Sequence, residues 1–329
     1  MKTAIIVDSA CSLPKALREK YDVSFVPISY SIDDGRFVDE CNEENAEAMF
    51  ESGSLSRKHE VNTQAPSPED FESAIINKIK NGYQRVIVQT VNRTQGDTYD
   101  NANAGLVRAK RQLDGRENIV LRVMDSRTVF AGQGLMAIET IRRLLNGKDE
   151  PVVRRQMDKI SEKIHTFILP KELLVAIERS RERNETSVGW AQALVANTVG
   201  IHPIICNVND TSSAVTKIWG FKNAAHTLFQ HIIRRMDESI VCPIVTVNYC
   251  GPISELKALP GYGELSLAAK RNKIMLVPSV ASIASGIYTS VGSLSIAIAT
   301  DAHEWTEKKE SKLKASLSGV RSLLRRHDS

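Results

Sequence analysis

No apolar run in this chain of 329 residues approaches the ~20 that a membrane-spanning helix requires. The apolar stretch after Lys2 is too short for a signal peptide and meets Asp8 at once. A cytoplasmic protein without stable membrane insertion is expected. Cysteine is scarce, and its pattern is wrong for disulfides or a zinc site. The five residues (Cys11, Cys41, Cys206, Cys242, Cys250) are an odd set without C-x-x-C spacing, as for free, buried thiols in a reducing compartment. Charge of one sign is lacking too. The net charge is +4, with Lys and Arg dispersed except near the C-terminus, which does not support a nucleic-acid groove. There is no H-E-x-x-H, no paired metal-ligand motif, no G-x-S-x-G and no P-loop. The histidines (59, 165, 202, 226, 231, 303 and 327) are scattered. Asn92, Asn184 and Asn209 begin glycosylation triplets that carry no meaning without secretion.

What is present describes a soluble globular chain, 42% apolar and 25% charged. Its length exceeds what one core usually supports, so two domains are expected, residues 1–160 and 161–329. The first half repeats one unit. Residues 4–7, 85–91 and 119–126 are apolar, largely β-branched runs, each followed by a polar loop and a helical stretch (15–20, 100–112, and one ending near Asn146). Such repeats predict a parallel sheet with right-handed crossovers, with ligands outside the carboxyl ends of its strands. Asp8 and Ser9 sit at such an end, although a polar turn with Ser12 capping the next helix accounts for them too. Residues 23–32 alternate like one half-buried strand and turn at Asp33-Asp34-Gly35. A helix is expected over 43–51. Residues 61–71 read as an extended loop, with Ser67, Pro68 and Asp70 forming a capping box. Gly132-Gln133-Gly134 falls inside a helix, which favours close packing over a dinucleotide fingerprint.

In the second half, helices are expected to about residue 164, then over 171–183, 191–198, 222–236 and 253–257. Strands are expected at 168–169, 201–207, 214–220, 240–249, 273–277 and 295–300, and a solvated helix with a basic end from His303. Residues 279–293, dense in Ser, Thr and Gly, suit backbone N–H groups and hydroxyls laid against an anionic headgroup. The polar groups on offer are mostly neutral, and such groups bind better than they catalyse.

In order along the chain, these loops resemble the DegV family of bacterial lipid-binding proteins. Val7-Asp8-Ser9-Ala10-Cys11-Ser12-Leu13-Pro14 resembles V/T-D-S-T-x-D-L-P, and Asp34-Gly35-Arg36 with Asp39 resembles the second segment. Thr63-Gln64-Ala65-Pro66-Ser67-Pro68 with Phe71 resembles T-S-Q-P-S-P-x-x-F. Asp97-Thr98-Tyr99 with Asn101-Ala102 resembles the end of S-S-x-L-S-G-T-Y-x-S-A. Asp125-Ser126 with Gly132-Gln133-Gly134-Leu135, Ile201-His202-Pro203-Ile204, and the Gly286–Ser293 stretch in place of G-T-H-T-G-P-G-A complete the set. The chain departs from the pattern at Asn92-Arg93 (a serine pair in the family), at Tyr288 (a histidine) and at residues 181–187, where K-G-G-R-I is absent.

The resemblance implies a non-enzymatic, two-domain α/β protein, similar also to the substrate-binding subunit of dihydroxyacetone kinases. One long-chain fatty acid would lie between the domains, with no cofactor, its carboxylate offered to a separate fatty acid kinase. By the same resemblance Thr63 and Asn92 hydrogen-bond the carboxylate. Arg93 or Arg181, with Arg179 nearby, supplies charge, and Gly286, Tyr288 and Thr289 complete the headgroup shell. Two alternatives are a small-molecule phosphotransferase subunit or enzyme on this fold, using Asp8, Asp97 or Asp125, and an interaction protein with a vestigial pocket.

Overall fold

The computed structural model describes residues 2–116, 118–182, 200–302 and 304–305. The first half runs β1 (Thr3–Asp8), α1 (Lys15–Tyr21), β2 (Ser24–Val26), β3 (Ser29–Ile32), β4 (Gly35–Val38), α2 (Glu43–Glu51), β5 (Val61–Gln64), α3 (Pro68–Lys80), β6 (Arg85–Thr90), α4 (Thr98–Gln112), β7 (Val120–Asp125), α5 (Ala131–Leu145) and α6 (Glu150–Ser161). The second half continues β8 (Ile164–Leu169), α7 (Leu173–Glu182), β9 (Ile201–Val208), β10 (Thr211–Trp219), α8 (Phe221–Glu238), β11 (Ile240–Tyr249), α9 (Ile253–Ala258), α10 (Tyr262–Arg271), β12 (Met275–Val280), α11 (Ile283–Thr289) and β13 (Leu294–Thr300). The 191–198 helix and the tail from residue 306 lie outside the described residues.

The expected α/β architecture is present. Strands β2-β1-β6-β7 form a parallel sheet. Alternation assigns its two faces: Ala4 and Ile6 share a core with Phe71, Ile75 and Leu106 of α3 and α4, while Ile5 and Val7 share one with Leu135 and Met136 of α5. The second sheet has the order β10-β9-β8-β13-β11-β12, parallel only between β11 and β12. It is covered on one side by α8 and α10.

Helix α5 lies between the two sheets, so residues 131–141 are buried without interruption. Its core joins Ile5 and Val7 of β1 to Ile244 of β11 and Ala297 and Ala299 of β13. Gly132 makes the approach possible: a Cβ there would strike the hydroxyls of Thr128 and Thr166. Gly132 therefore serves helix packing, whereas a Cβ at Gly134 would meet its neighbours at ordinary contact distance. Thr246 Oγ1 donates to the Ala131 carbonyl at 2.6 Å, fixing the start of α5 against β11.

Several sequence expectations are corrected. The single strand over 23–32 is two strands in different sheets. Pro27 has no N–H to continue the ladder, and the next amide, Ile28 N–H, donates to Ser9 Oγ at 2.8 Å. Strand β3 then pairs antiparallel with β4 and with β5, so the 61–64 part of the expected loop is a strand of a small sheet ordered β4-β3-β5. Helix α6 stops at Ser161, and β8 is a fully buried six-residue strand, not a short one. Helix α10 was not anticipated from the sequence; its buried positions are Tyr262, Leu265, Ala268 and Ala269. Ser12 does not cap α1, whose N-cap is Pro14 without a side-chain bond. Ser12 Oγ instead accepts Ser282 N–H at 2.8 Å, tying the first loop to the segment before α11.

Candidate functional site

The loop after β1 sets the geometry. Asp8 is completely buried, and its carboxylate accepts Ala10 N–H at 3.0 Å, Val91 N–H at 2.6 Å and Gln133 Nε2 at 3.1 Å. Burial nonetheless pushes its pKa up to about 6, with those donors pulling the other way. Asp8 therefore fixes the loops after β1 and β6 while Ser9 fixes residue 28. Asp125-Ser126 repeats the device after β7, where Asp125 Oδ1 accepts Arg127 N–H at 2.9 Å and Ser126 Oγ donates to the Thr128 carbonyl at 3.1 Å.

A cavity of about 280 Å³ opens where these loops converge, at the carboxyl ends of the parallel strands. Ala10, Ile28, Val91, Val129, Phe130 and Ala284 give it apolar walls. Thr63, Gln64, Gln95, Asp97, Thr98 and Tyr288 give it polar ones. Thr98 opens α4, whose N-cap Asp97 makes no side-chain capping bond. The uncapped first-turn amides and the positive end of that helix border the cavity. The wall from the second half is α11. Asp39 ties its start to the small sheet, with its carboxylate accepting Cys41 N–H at 3.1 Å and Ala284 N–H at 3.3 Å. Asp39 is also pushed up to about 6 by burial.

The expected site residues divide into three groups. Thr63 and Tyr288 meet: both line the cavity, and their hydroxyls hydrogen-bond each other. Asn92, Arg93, Gly286 and Thr289 do not line it. Asn92 is buried immediately behind Val91; its Oδ1 accepts Thr94 N–H at 2.8 Å, and its Nδ2 has no partner among the described residues. Arg93 turns outward, its Nε 3.1 Å from Asp125 Oδ2 and an Nη 3.8 Å from Asp210 Oδ2. Gly286 brings α11 against Phe50, whose ring a Cβ would strike, and Thr289 Oγ1 donates to the Ser285 carbonyl at 2.8 Å. The Arg181 side chain, with Arg183 and residues 184–187, lies outside the described residues. Arg179 donates to the carbonyls of His59 (2.9 Å) and Val61 (3.2 Å), bracing the start of β5.

Sequence reasoning missed Phe130 and Gln95. Phe130 has a φ of +48°, a backbone that a bulky residue seldom adopts. The local sequence carries no signal for it: Phe130 is the N-cap of α5 without a side-chain capping bond. Among the described lining residues Asp97 is the one charged group, and no histidine or cysteine lines the cavity. Hydroxyls, amides and apolar walls can hold an amphipathic molecule, but they supply no nucleophile with an adjacent base.

The family model of the DegV family of uncharacterised proteins matches residues 2–301. A DegV domain-containing protein of Xanthomonas campestris pv. campestris is 28% identical, over 93% of this chain and 100% of its own. Among solved structures, a DegV lipid binding protein from Thermotoga maritima superposes with a TM-score of 0.74 at 20% identity, covering 92% of this chain and 100% of its own. A stearic acid-binding protein from Eubacterium ventriosum matches with a TM-score of 0.74 at 18% identity, covering 91% and 98%.

Proposed function

The chain belongs to the DegV family, and on that premise we propose that it binds one long-chain fatty acid, without catalysis, in the cavity between the parallel sheet and α11. The observation that carries this reading is the meeting of the Thr63 and Tyr288 hydroxyls, from opposite halves of the chain, over apolar walls. A carboxylate taken out of water must recover its hydrogen bonds. Those two hydroxyls and the first-turn amides of α4 are the donors at hand, Asn92 being shut off behind Val91. Each buried methylene of the acyl chain adds about 0.8 kcal/mol. The stearic acid-binding and lipid-binding relatives support the assignment.

In this reading residues 1–160 supply Thr63 and the strand-end wall, and residues 161–329 supply Tyr288 and enclose the lipid. The headgroup lies at the rim beside the exposed Gly96 and Asp97, where a separate fatty acid kinase would reach it. The five unpaired thiols are in keeping with a cytoplasmic setting. The alternative phosphotransferase chemistry finds less support. Asp8 is enclosed by three donors, and Asp125 is engaged by Arg93 and the Arg127 amide.

Native mass spectrometry of the purified full chain tests the proposal. A bound mass equal to one C16–C18 fatty acid is expected. An empty protein that ignores added oleate and turns over a phosphorylated metabolite would contradict it.

A further inference from the structure

Arg93 stands beside the cavity and not in it, at the centre of a charged cluster that joins the two halves. It follows Asn92 on the loop that runs through Gln95, Gly96 and Asp97 along the cavity wall. Its backbone N–H donates to Asp125 Oδ1 at 3.3 Å, while its guanidinium faces Asp125 at 3.1 Å and Asp210 at 3.8 Å. Asp210 belongs to the second half, at the turn between β9 and β10. That turn has two successive left-handed residues, Asn209 (φ +45°) and Asp210 (φ +68°). It is docked on the first half by Asp210 N–H to the Arg127 carbonyl at 3.1 Å and by an Arg127 Nη that reaches Asn209 Oδ1 (3.1 Å) and Glu162 (3.0 Å).

Two details give the cluster its character. The Arg93 side chain is 51% exposed, whereas Asp125 is 8% and Asp210 23% exposed. Asp125 Oδ2 and Asp210 Oδ1 receive no aligned hydrogen bond. Arg93 therefore holds two carboxylates by charge more than by directed bonds, at a place that salt can reach. Without it, Asp125 and Asp210 repel each other across the join, an effect already visible in the raised pKa of Asp125, where burial is the larger cause.

We infer that Arg93 is a positioning residue, an ionic clasp from the cavity-wall loop to the β9–β10 turn that sets how fast ligand enters and leaves. For its functional readout this rests on the fatty-acid reading above; the clasp itself rests on the distances. Closing the clasp holds residues 93–97 against the cavity. Opening it frees that wall to swing from the second half without disturbing either sheet.

The test loads the full-length protein with a fluorescent fatty acid, cis-parinaric acid, and chases it with excess oleate between 50 and 500 mM NaCl, concentrations that span roughly threefold in Debye length. Wild-type dissociation should quicken as salt rises. Arg93→Ala should dissociate roughly three- to fivefold faster at low salt, with little further salt dependence. Arg93→Lys should retain the salt dependence. Asp210→Asn is the decisive variant. A clasp predicts faster dissociation, and no further increase in the Arg93→Ala/Asp210→Asn double variant. If Arg93 instead paired directly with the ligand carboxylate, freeing it from Asp210 would slow dissociation. Slower release, or rates and salt slopes equal to wild type, would overturn the inference. Should the wild type bind no probe, the fatty-acid reading fails by itself. Hydrogen exchange over residues 92–98 then decides the clasp: faster exchange in Arg93→Ala upholds it, and unchanged exchange rejects it.

Discussion

The hydroxyls of Thr63 and Tyr288, 225 positions apart in sequence, hydrogen-bond each other across the cavity mouth. Strand β5 presents one and helix α11 the other, so the pair closes the site only when the small sheet and the second half are correctly docked. Each hydroxyl can turn from its partner to a ligand carboxylate without leaving a buried group unpaired.

Thr63→Ala and Tyr288→Phe should each weaken oleate binding by about fivefold, the equivalent of about 1 kcal/mol for one hydrogen bond. Because the two groups act together, the double variant should fall short of the product of the single effects. Fluorescence titration of delipidated protein checks this. Unchanged affinity in both single variants would remove them from the headgroup shell.

Gly286→Ala should destabilise the protein by about 1–3 kcal/mol, since the new methyl group meets the Phe50 ring where α11 packs on α2. Phe50→Leu in the same chain should recover part of the loss. Denaturant unfolding measures both. A neutral Gly286→Ala would mean that α11 is not held this closely.

Asp8→Asn removes a buried charge but keeps one carbonyl oxygen for three donors, one of them on Gln133 and two on backbone amides. The loss should be about 1–3 kcal/mol at pH 7.5. It should grow as the pH falls below about 6, the value to which burial raises Asp8. A folded pKa above the unfolded one means that the native carboxyl takes up its proton first. Wild-type Asp8 thus gains stability as pH falls from about 6 toward 3.8, a gain the non-titrating Asn variant does not share. Chemical denaturation at pH 7.5 and 5.5 separates the contributions, and equal losses at both would contradict the assigned titration.

His231 works in the opposite sense. Burial, with Arg235, Arg234 and His165 nearby, lowers its pKa from 6.5 to about 3, and its ring stacks on Trp305 at 4.1 Å. The unfolded chain binds the proton first, so stability is lost as pH falls below 6.5, by up to about 1.4 kcal/mol per pH unit. His231→Phe keeps an aromatic ring in place of the imidazole. Its Tm relative to wild type should rise between pH 7.5 and 5, and a constant difference would place His231 outside acid sensitivity.

What the sequence made legible was local. The three strand–loop–helix units, the Ser67–Asp70 capping box and the Asn209-Asp210 turn each follow from neighbouring residues, and the structure contains all of them. Asp8-Ser9 reads from the sequence as a strand-end turn or ligand contact, and the Ala10, Val91 and Ile28 amides that meet it make it a brace. The break at Pro27 was harder to read: alternation runs through it, and only the Ile28 amide turning to Ser9 shows that the chain changes sheets. Within the site, Thr63 and Tyr288 were identified separately, but their contact depends on how the halves dock. Arg93 shows the same limit from the other side. Its neighbour Asn92 suggested a ligand, while the carboxylates that engage it come from β7 and from a turn 117 positions further on.

The most direct test of the fatty-acid assignment is a titration of delipidated protein with oleic acid labelled with ¹³C at its carboxyl carbon, followed by NMR. One bound carboxyl resonance saturating at one equivalent is predicted, and the Thr63→Ala/Tyr288→Phe variant should displace it. The absence of any bound resonance, or a bound resonance that the double variant leaves in place, would contradict a headgroup held between β5 and α11.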